Sequence, residues 1–283
     1  TLLRLYKLFQ KNQYDIVIAH RYKSIYLAGI LSYFFEVKVL YGVAHEFKIF
    51  HRAFRAFFVT RLRRNIQVLT VSESLAEDVL SDCPSLGFEK RIHVLENAID
   101  PALEAEFVSR AEARERLDLP QGKFCYGSVG RLISRKYQDV LIKTYARVAT
   151  EDNCLIIVGS GPQEAALKAL AISLGIRQQV IFAGNVERAY KFYRAFDAFL
   201  FASDNREAFG VVLLEAMLAK VPVICSDANV PKEVVGDAGL IFKTGNIEEL
   251  EMQMKKLEAM DQEDYKSMQQ LGFNRVMAEY TVD

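Results

Sequence analysis

Apolar residues fall into short runs separated by stretches of helical spacing. Runs at 15–19, 37–43, 66–71, 92–95, 124–129, 154–158, 179–183, 197–202, 221–225 and 239–242 have the length of strands buried on both faces. Most gaps between them carry apolar residues at a helical period. Such alternation predicts an α/β fold with parallel sheets covered by helices. Ten strands are many for one small sheet. The irregular segment Asn97-Ala98-Ile99-Asp100-Pro101 breaks the pattern, so two Rossmann-like domains are expected, 1–102 and 103–283. The first opens on a helical segment and offers four strands. A doubly wound domain usually has more, with an early glycine-rich turn. That shortfall predicts an incomplete N-terminal domain; a compact small domain is the alternative.

Composition is that of a globular protein: 283 residues, 51% hydrophobic and 25% charged. No apolar run approaches the ~20 residues of a membrane-spanning helix, and the first residues lack the apolar core of a signal peptide. Cys83, Cys125, Cys154 and Cys225 match no zinc or redox spacing and read as small hydrophobes, which predicts a reducing, cytoplasmic setting. Net charge is zero but uneven. Residues 1–65 hold 12 Lys/Arg against 3 Asp/Glu, and the remainder 24 against 33. This asymmetry suggests that one face meets an anionic partner.

Several nucleotide and metal motifs are missing. Gly159-Ser160-Gly161 lacks the third glycine of a dinucleotide fingerprint, and no Walker A sequence occurs. No two aspartates stand one residue apart, and no histidine pair has zinc-ligand spacing, so neither a metal nor a cofactor is expected.

The most informative stretch is Arg206-Glu207-Ala208-Phe209-Gly210-Val211-Val212-Leu213-Leu214-Glu215-Ala216-Met217, after the strand at 197–202. Gly210 stands where a loop turns into a helix that carries Val211, Leu214 and Leu218 toward a core. The free N–H groups and positive dipole end of such a helix suit a diphosphate. Two glutamates at this separation arise readily by chance, so the surrounding context decides.

In that context the stretch resembles the Glu-x7-Glu motif of the family 4 retaining glycosyltransferases, whose GT-B fold sets two Rossmann-like domains across a cleft. The resemblance covers nearly the whole chain. Ser128-Val129-Gly130-Arg131-Leu132 with Arg135-Lys136 is similar to the family's phosphate-binding segment. Ile157 to Pro162 resembles its G-x-G-P turn, and Phe182-Ala183-Gly184-Asn185-Val186 the loop along the nucleobase. Val221 to Ile224 and Pro231 to Val235 match later segments; Leu69 to Ser74 and Glu96 to Asp100 match segments leading into the hinge. Tyr137, Ala98 and Ala208 stand where the family often has glycine, and no departure removes a charged group.

The resemblance implies an acceptor-side first domain and a second domain binding a nucleoside diphosphate sugar. It implies metal-independent transfer with retention to a saccharide or lipid-linked acceptor in envelope polysaccharide or lipopolysaccharide synthesis. Arg131 and Lys136 follow the C-terminal end of a strand, the ligand edge of a parallel sheet, and would stabilise the departing diphosphate. Glu207 would orient the sugar and its developing charge, and Glu215 would accept from ribose hydroxyls. Gly130, Val186, Phe209, Gly210 and Val211 would line the donor site, the last three through backbone donors. His45 resembles the first-domain histidine that reaches the sugar, His20 is a further cleft contact, and Glu233 is either a donor-site or a structural acid. A nucleotide-sugar epimerase and an inactive nucleotide-sugar-binding module are the alternatives.

The segment from Phe50 to Arg64 is expected as a helix with Phe50, Phe54, Phe57, Phe58 and Leu62 on a stripe packed against the sheet. Arg52, Arg55, Arg63 and Arg64 are assigned to an anionic membrane surface at the inner face of the cell membrane. Nucleic acid is the rival partner, but no nucleic-acid motif accompanies the charge, so none is expected.

Overall fold

The computed structural model describes residues 2–62, 66–83 and 89–282. The chain divides into two compact units, 1–97 and 98–283, a boundary just before the one expected at 102. All ten expected strands are present. In the first unit β1 (Ile16–His20), β2 (Val39–Ala44), β3 (Ile66–Thr70) and β4 (Ile92–Val94) form a parallel sheet in the order β1-β2-β3-β4.

The second unit holds β5 (Phe124–Val129), β6 (Asn153–Val158), β7 (Val180–Gly184), β8 (Ala198–Phe201), β9 (Val223–Ser226) and β10 (Leu240–Phe242). These are also parallel, in the order β10-β9-β8-β5-β6-β7. The chain winds outward from β5 to β7, returns to β5's other side as β8, and winds outward again. The C-terminal ends of β5 and β8 are therefore the topological switch point, where open α/β sheets leave room for a ligand. Tyr126, Leu155, Ile157, Leu200 and Phe242 on the strands pack against Leu141 and Tyr145 of helix Gln138–Val148 and Met254 of helix Ile247–Glu258. The four cysteines are free and buried, as small hydrophobes would be.

At the other end of the sheet, Arg114 is completely buried. Its Nε donates to the Ala195 carbonyl at 3.0 Å, one terminal nitrogen to the carbonyls of Pro120, Gln121 and Lys123, and the other to Asp197 Oδ2 at 2.6 Å. The same carboxylate accepts the Cys125 N–H at 2.7 Å and Arg110 at 2.9 Å. A buried charge this fully satisfied ties the start of β5 to the residue before β8.

The segment after Phe50 corrects the expected helix. An α-helix spans Ala53–Phe57 only, and a wider π turn continues over Phe58–Leu62. Phe50 lies upstream of the helix and is buried, as is Phe58, whereas Phe54 and Phe57 are 59% and 53% exposed. Phe54 and Phe57 lie in the short α-helix and stay exposed, while Phe50 precedes the helix and Phe58 opens the π turn, so the aromatics do not share one packed face. Arg55 is not a solvated cation. It lies 4.3 Å over the Tyr22 ring and donates to the Ile49 carbonyl at 3.0 Å. Arg52 is exposed; Arg63 and Arg64 lie outside the described residues.

Gly159 carries the tightest constraint in the second unit. Its φ is +132°, and a Cβ there would stand 2.0 Å from the Gly130 carbonyl oxygen. No side chain can enter, because the loops after β5 and β6 touch through backbone. Gly159→Ala should destabilise the protein by about 3 kcal/mol or more, from backbone strain plus the clash. Gly122→Ala, where a Cβ meets nothing within 4 Å, should change stability by less than about 0.5 kcal/mol. Equal denaturant midpoints for the two variants would refute this account.

Candidate functional site

Two loops leave the switch point. The loop after β5 runs from Gly130 through a 3₁₀ turn at Ser134–Lys136. Tyr137 closes it at φ 51°, ψ 34°, a left-handed conformation that glycine adopts more readily. The departure from glycine at this position therefore keeps the glycine-like backbone, at a cost of about 1–2 kcal/mol. Ala208 is not among the positive-φ residues and needs no such allowance. The loop after β8 leads to Gly210, whose φ of 92° precedes helix Val211–Leu218. The Asp204 N–H donates to the Arg135 carbonyl at 3.1 Å, which braces one loop on the other.

Lys136 Nζ meets Glu207 Oε2 at 2.5 Å, and both side chains are only 14% exposed. The ammonium also lies 4.8 Å over the Phe201 ring. Residues far apart in sequence thus form a nearly buried, charge-neutral pair at the switch point. Lysine has three donor positions, so the ammonium can hold Glu207 and still donate to an incoming anion. Arg131, on the same loop, is exposed, and among the described residues its side chain makes no ion pair. A cleft beside these groups is lined by Gly130, Arg131, Gly159, Ser160, Asn185 and Val186.

Glu215 lies in the helix that Gly210 opens and accepts the Tyr193 hydroxyl at 2.8 Å. Burial raises its carboxyl above the usual carboxylate range, and the Tyr193 hydrogen bond opposes that shift. Val211 corrects an expectation: it is 39% exposed rather than core-facing, because it is the first residue of the helix at the open end of the sheet. Leu214 and Leu218 fill the core as expected, and Leu213 joins them. Phe209 is buried with its ring edge-on to Tyr280 at 5.9 Å, so only its backbone can serve a ligand.

In the first unit, His20 Nδ1 and His45 Nε2 lie 2.8 Å apart at the ends of β1 and β2, their rings nearly parallel at 7°. One nitrogen must donate and the other accept, so the pair holds one proton between them at that contact. Burial lowers the His45 pKa, and His20 and Arg21 lower it further.

Tyr193, Ser160, Asn185 and Asp204 were not assigned from sequence. Ser160 and Asn185 lie within or beside the recognised turns and could have been found there. Tyr193 sits in a 3₁₀ segment, Ala189–Ala195, with no motif to mark it. Arg131, Gly130 and Val186 share the cleft, and Lys136 and Glu207 share an ion pair. Among the described residues no group of three or more His, Cys, Asp or Glu could hold a metal ion.

Residues 109–275 match the family described as glycosyl transferases group 1, and residues 1–103 match glycosyltransferase family 4. An uncharacterised glycosyltransferase of Methanocaldococcus jannaschii is 27% identical over 79% of this chain and 60% of its own length. A lipopolysaccharide core biosynthesis glycosyltransferase of Rhizobium meliloti is 33% identical over 60% of this chain and 47% of its own. The chain therefore spans about half to three-fifths of these relatives' length. The fold matches that of Anabaena HepE, solved in complex with UDP and glucose, with a TM-score of 0.86 and 20% identity over 99% of this chain and 77% of that one.

The histidine pair yields a pH prediction. A folded pKa below the ordinary histidine value of ~6.5 means that the unfolded chain binds the proton better. The contribution to stability is then present above that value and lost as pH falls through the window beneath it. NMR titration should show the His45 imidazole titrating below the ordinary value, and His20→Asn should move it part of the way back. An unshifted His45 in the native chain would contradict the geometry.

Proposed function

Since this chain belongs to the glycosyl transferases group 1, with the matching region lying in its second unit, we propose that it transfers a sugar from a nucleoside diphosphate sugar bound at the β5–β8 switch point. The observation that carries this is the Lys136–Glu207 pair, with Arg131 on the adjoining loop. A diphosphate leaving group develops negative charge as the anomeric C–O bond breaks. Lys136 and Arg131 stand at the ligand edge of the sheet to meet it, one as a point charge and one as a planar fork. Glu207, held by Lys136, offers an anion to the sugar as it gains oxocarbenium character. Glu215 accepts from the ribose, and Gly130 and Val186 line the donor cleft. Phe209, Gly210 and Val211 present backbone to the diphosphate.

The proposed outcome is retention: the acceptor oxygen bonds to the anomeric carbon on the face the diphosphate leaves, and the acceptor's proton passes to the departing phosphate oxygen. The two cations supply the charge stabilisation that a metal supplies elsewhere, so the reaction is proposed to need none. His45, with His20 beside it, is proposed as the first unit's contribution to the sugar. The UDP and glucose in the Anabaena protein favour a nucleotide-sugar donor. The lipopolysaccharide role of the Rhizobium relative favours an envelope saccharide or lipid-linked acceptor.

Arg131→Ala, Lys136→Ala and Glu207→Ala should each lower turnover by roughly ten- to a thousandfold. Arg131→Ala should leave the thermal midpoint near that of the parent, whereas Lys136→Ala and Glu207→Ala should lower it, because each leaves its partner's charge unpaired in a nearly buried position. Activity should persist in a chelator. Near-parental turnover in all three variants would overturn the donor assignment, and loss in chelator restored by magnesium would overturn metal independence.

An anionic membrane surface at the cytoplasmic face is the proposed site of action. No helix among the described residues is long and apolar enough to cross a membrane. Support comes from Arg52 beside the exposed Phe54 and Phe57, and from helix Leu2–Lys11, where Arg4, Lys7 and Lys11 accompany exposed Leu2, Leu3 and Leu8. Cations near acidic lipid contribute about 1 kcal/mol each. Co-sedimentation should require acidic vesicles, weaken with salt, and fall when Phe54, Phe57 and Arg52 become Ser. Equal binding to neutral and acidic vesicles would exclude the charge-based account.

A further inference from the structure

Tyr193 has no exposed surface. Its ring is wedged between Phe196 and Phe199, with centroids 5.7 and 5.3 Å away. A phenol so confined cannot turn its hydroxyl to solvent, and a buried hydroxyl needs a partner. That partner is Glu215 Oε2, at 2.8 Å. The phenol's own ionisation is pushed well above its usual range by burial and by the neighbouring carboxylate, so it acts only as a donor. Among the described residues Glu215 Oε1 has no protein partner, and the residue keeps some exposed surface.

We propose that Tyr193 is a positioning residue for the donor: its hydroxyl occupies one Glu215 oxygen and leaves the other, still charged, for the ribose hydroxyls. This rests on the donor assignment made above. Burial favours the neutral acid, which offers the ribose a weaker acceptor, and the Tyr193 hydrogen bond works against that neutralisation. Charges do stand on the elements packed against this helix: Lys191 and Arg194 on the Tyr193 segment, Lys232 and Glu233 on helix Asn229–Val235, and Glu263, Asp264, Lys266, Arg275 and Glu279 on helix Gln262–Glu279. Lys191 is engaged with Glu106, Arg194 with the Phe107 ring and Arg275 with Glu279. Among the described residues, no cation contacts Glu215, so the task falls to a neutral donor.

The segment that carries Tyr193 also reaches the donor cleft. It begins at Ala189, which lines that cleft with Asn185 and Val186. One short element therefore connects the loop beside the proposed nucleobase to the acid beside the proposed ribose.

The test compares the full chain with Tyr193→Phe, Glu215→Gln and the double variant. Affinity for uridine, guanosine and adenosine diphosphate is measured by calorimetry between about pH 5.5 and about pH 8.5. The nucleotide's own titration is common to all variants and cancels between them. Glu215→Gln should weaken binding at high pH and remove the protein's share of the pH dependence. Tyr193→Phe should bind within about threefold of the parent at high pH, and fall about tenfold further behind it as pH drops through the raised carboxyl titration. The double variant should behave as Glu215→Gln alone. A pH-independent loss in Tyr193→Phe, or one that adds to Glu215→Gln, would show Tyr193 to be merely structural and overturn the proposal. Full-strength binding by Glu215→Gln, or no binding of any of the three nucleotides by the parent, would instead overturn the donor assignment and the proposal with it. Thermal midpoints of each variant exclude unfolding as the cause.

Discussion

Arg114 and Asp197 hold β5 against β8, and the rest of the second unit depends on that adjacency. The two strands are far apart in the chain and touch only because the sheet reverses its winding between them. Asp197 receives a buried guanidinium, an exposed one and the Cys125 amide, so both strands leave from one charged knot. Removing Asp197 would leave the Arg114 guanidinium buried without a counter-charge, a defect of about 3–5 kcal/mol. At the other end of the sheet, the loops that follow the same two strands deliver Lys136 and Glu207 to one another. The ion pair at the candidate site is thus set by an ion pair at the opposite edge of the sheet.

Between those pairs, close backbone contact replaces side chains. Gly159 leaves its space to the Gly130 carbonyl, and the Gly159 N–H donates to the Gly184 carbonyl at 2.7 Å. Three successive strand ends are therefore knit by main chain, which lowers their floor and opens the cleft above them. Tyr137 accepts a left-handed backbone to end the β5 loop on time for helix Gln138–Val148. Strain of this kind persists only where the surroundings over-determine it. Here the ion pair of the preceding residue and the helix that follows do so.

The charges at the site are arranged by burial as much as by sign. Lys136 and Glu207 neutralise each other in a nearly dry position, whereas Arg131 remains in solvent. Glu215 has no cation and relies on a phenol. A ligand carrying two phosphates and a ribose, bound as proposed, would meet an exposed guanidinium, a nearly buried ammonium already partnered, and a carboxylate with one oxygen taken. In the first unit, burial and the neighbouring His20 and Arg21 lower the His45 pKa, so that imidazole stays neutral to lower pH than an ordinary histidine.

Much of this was legible along the chain. Strands buried on both faces read as unbroken apolar runs, so all ten could be placed to within about two residues. Gly210 stood out because a strand, a loop and a helix start follow one another in sequence, whereas Glu207 and Glu215 stood out only through the resemblance of their surroundings to the Glu-x7-Glu motif. The residues after Phe50 misled because they do not form one helix: Phe50 precedes a short helix at Ala53–Phe57 and Phe58 opens a π turn, so no single helical stripe runs through them. Periodicity is local, and it determined the elements, their parallel class and the loops that carry polar groups. Which strands lie side by side is not local. Tertiary structure alone decided that β8 returns beside β5, that Lys136 finds Glu207, and that a motif-free tyrosine meets Glu215. Those contacts follow from how buried surface is shared between elements, and no spacing within either partner's own segment records it.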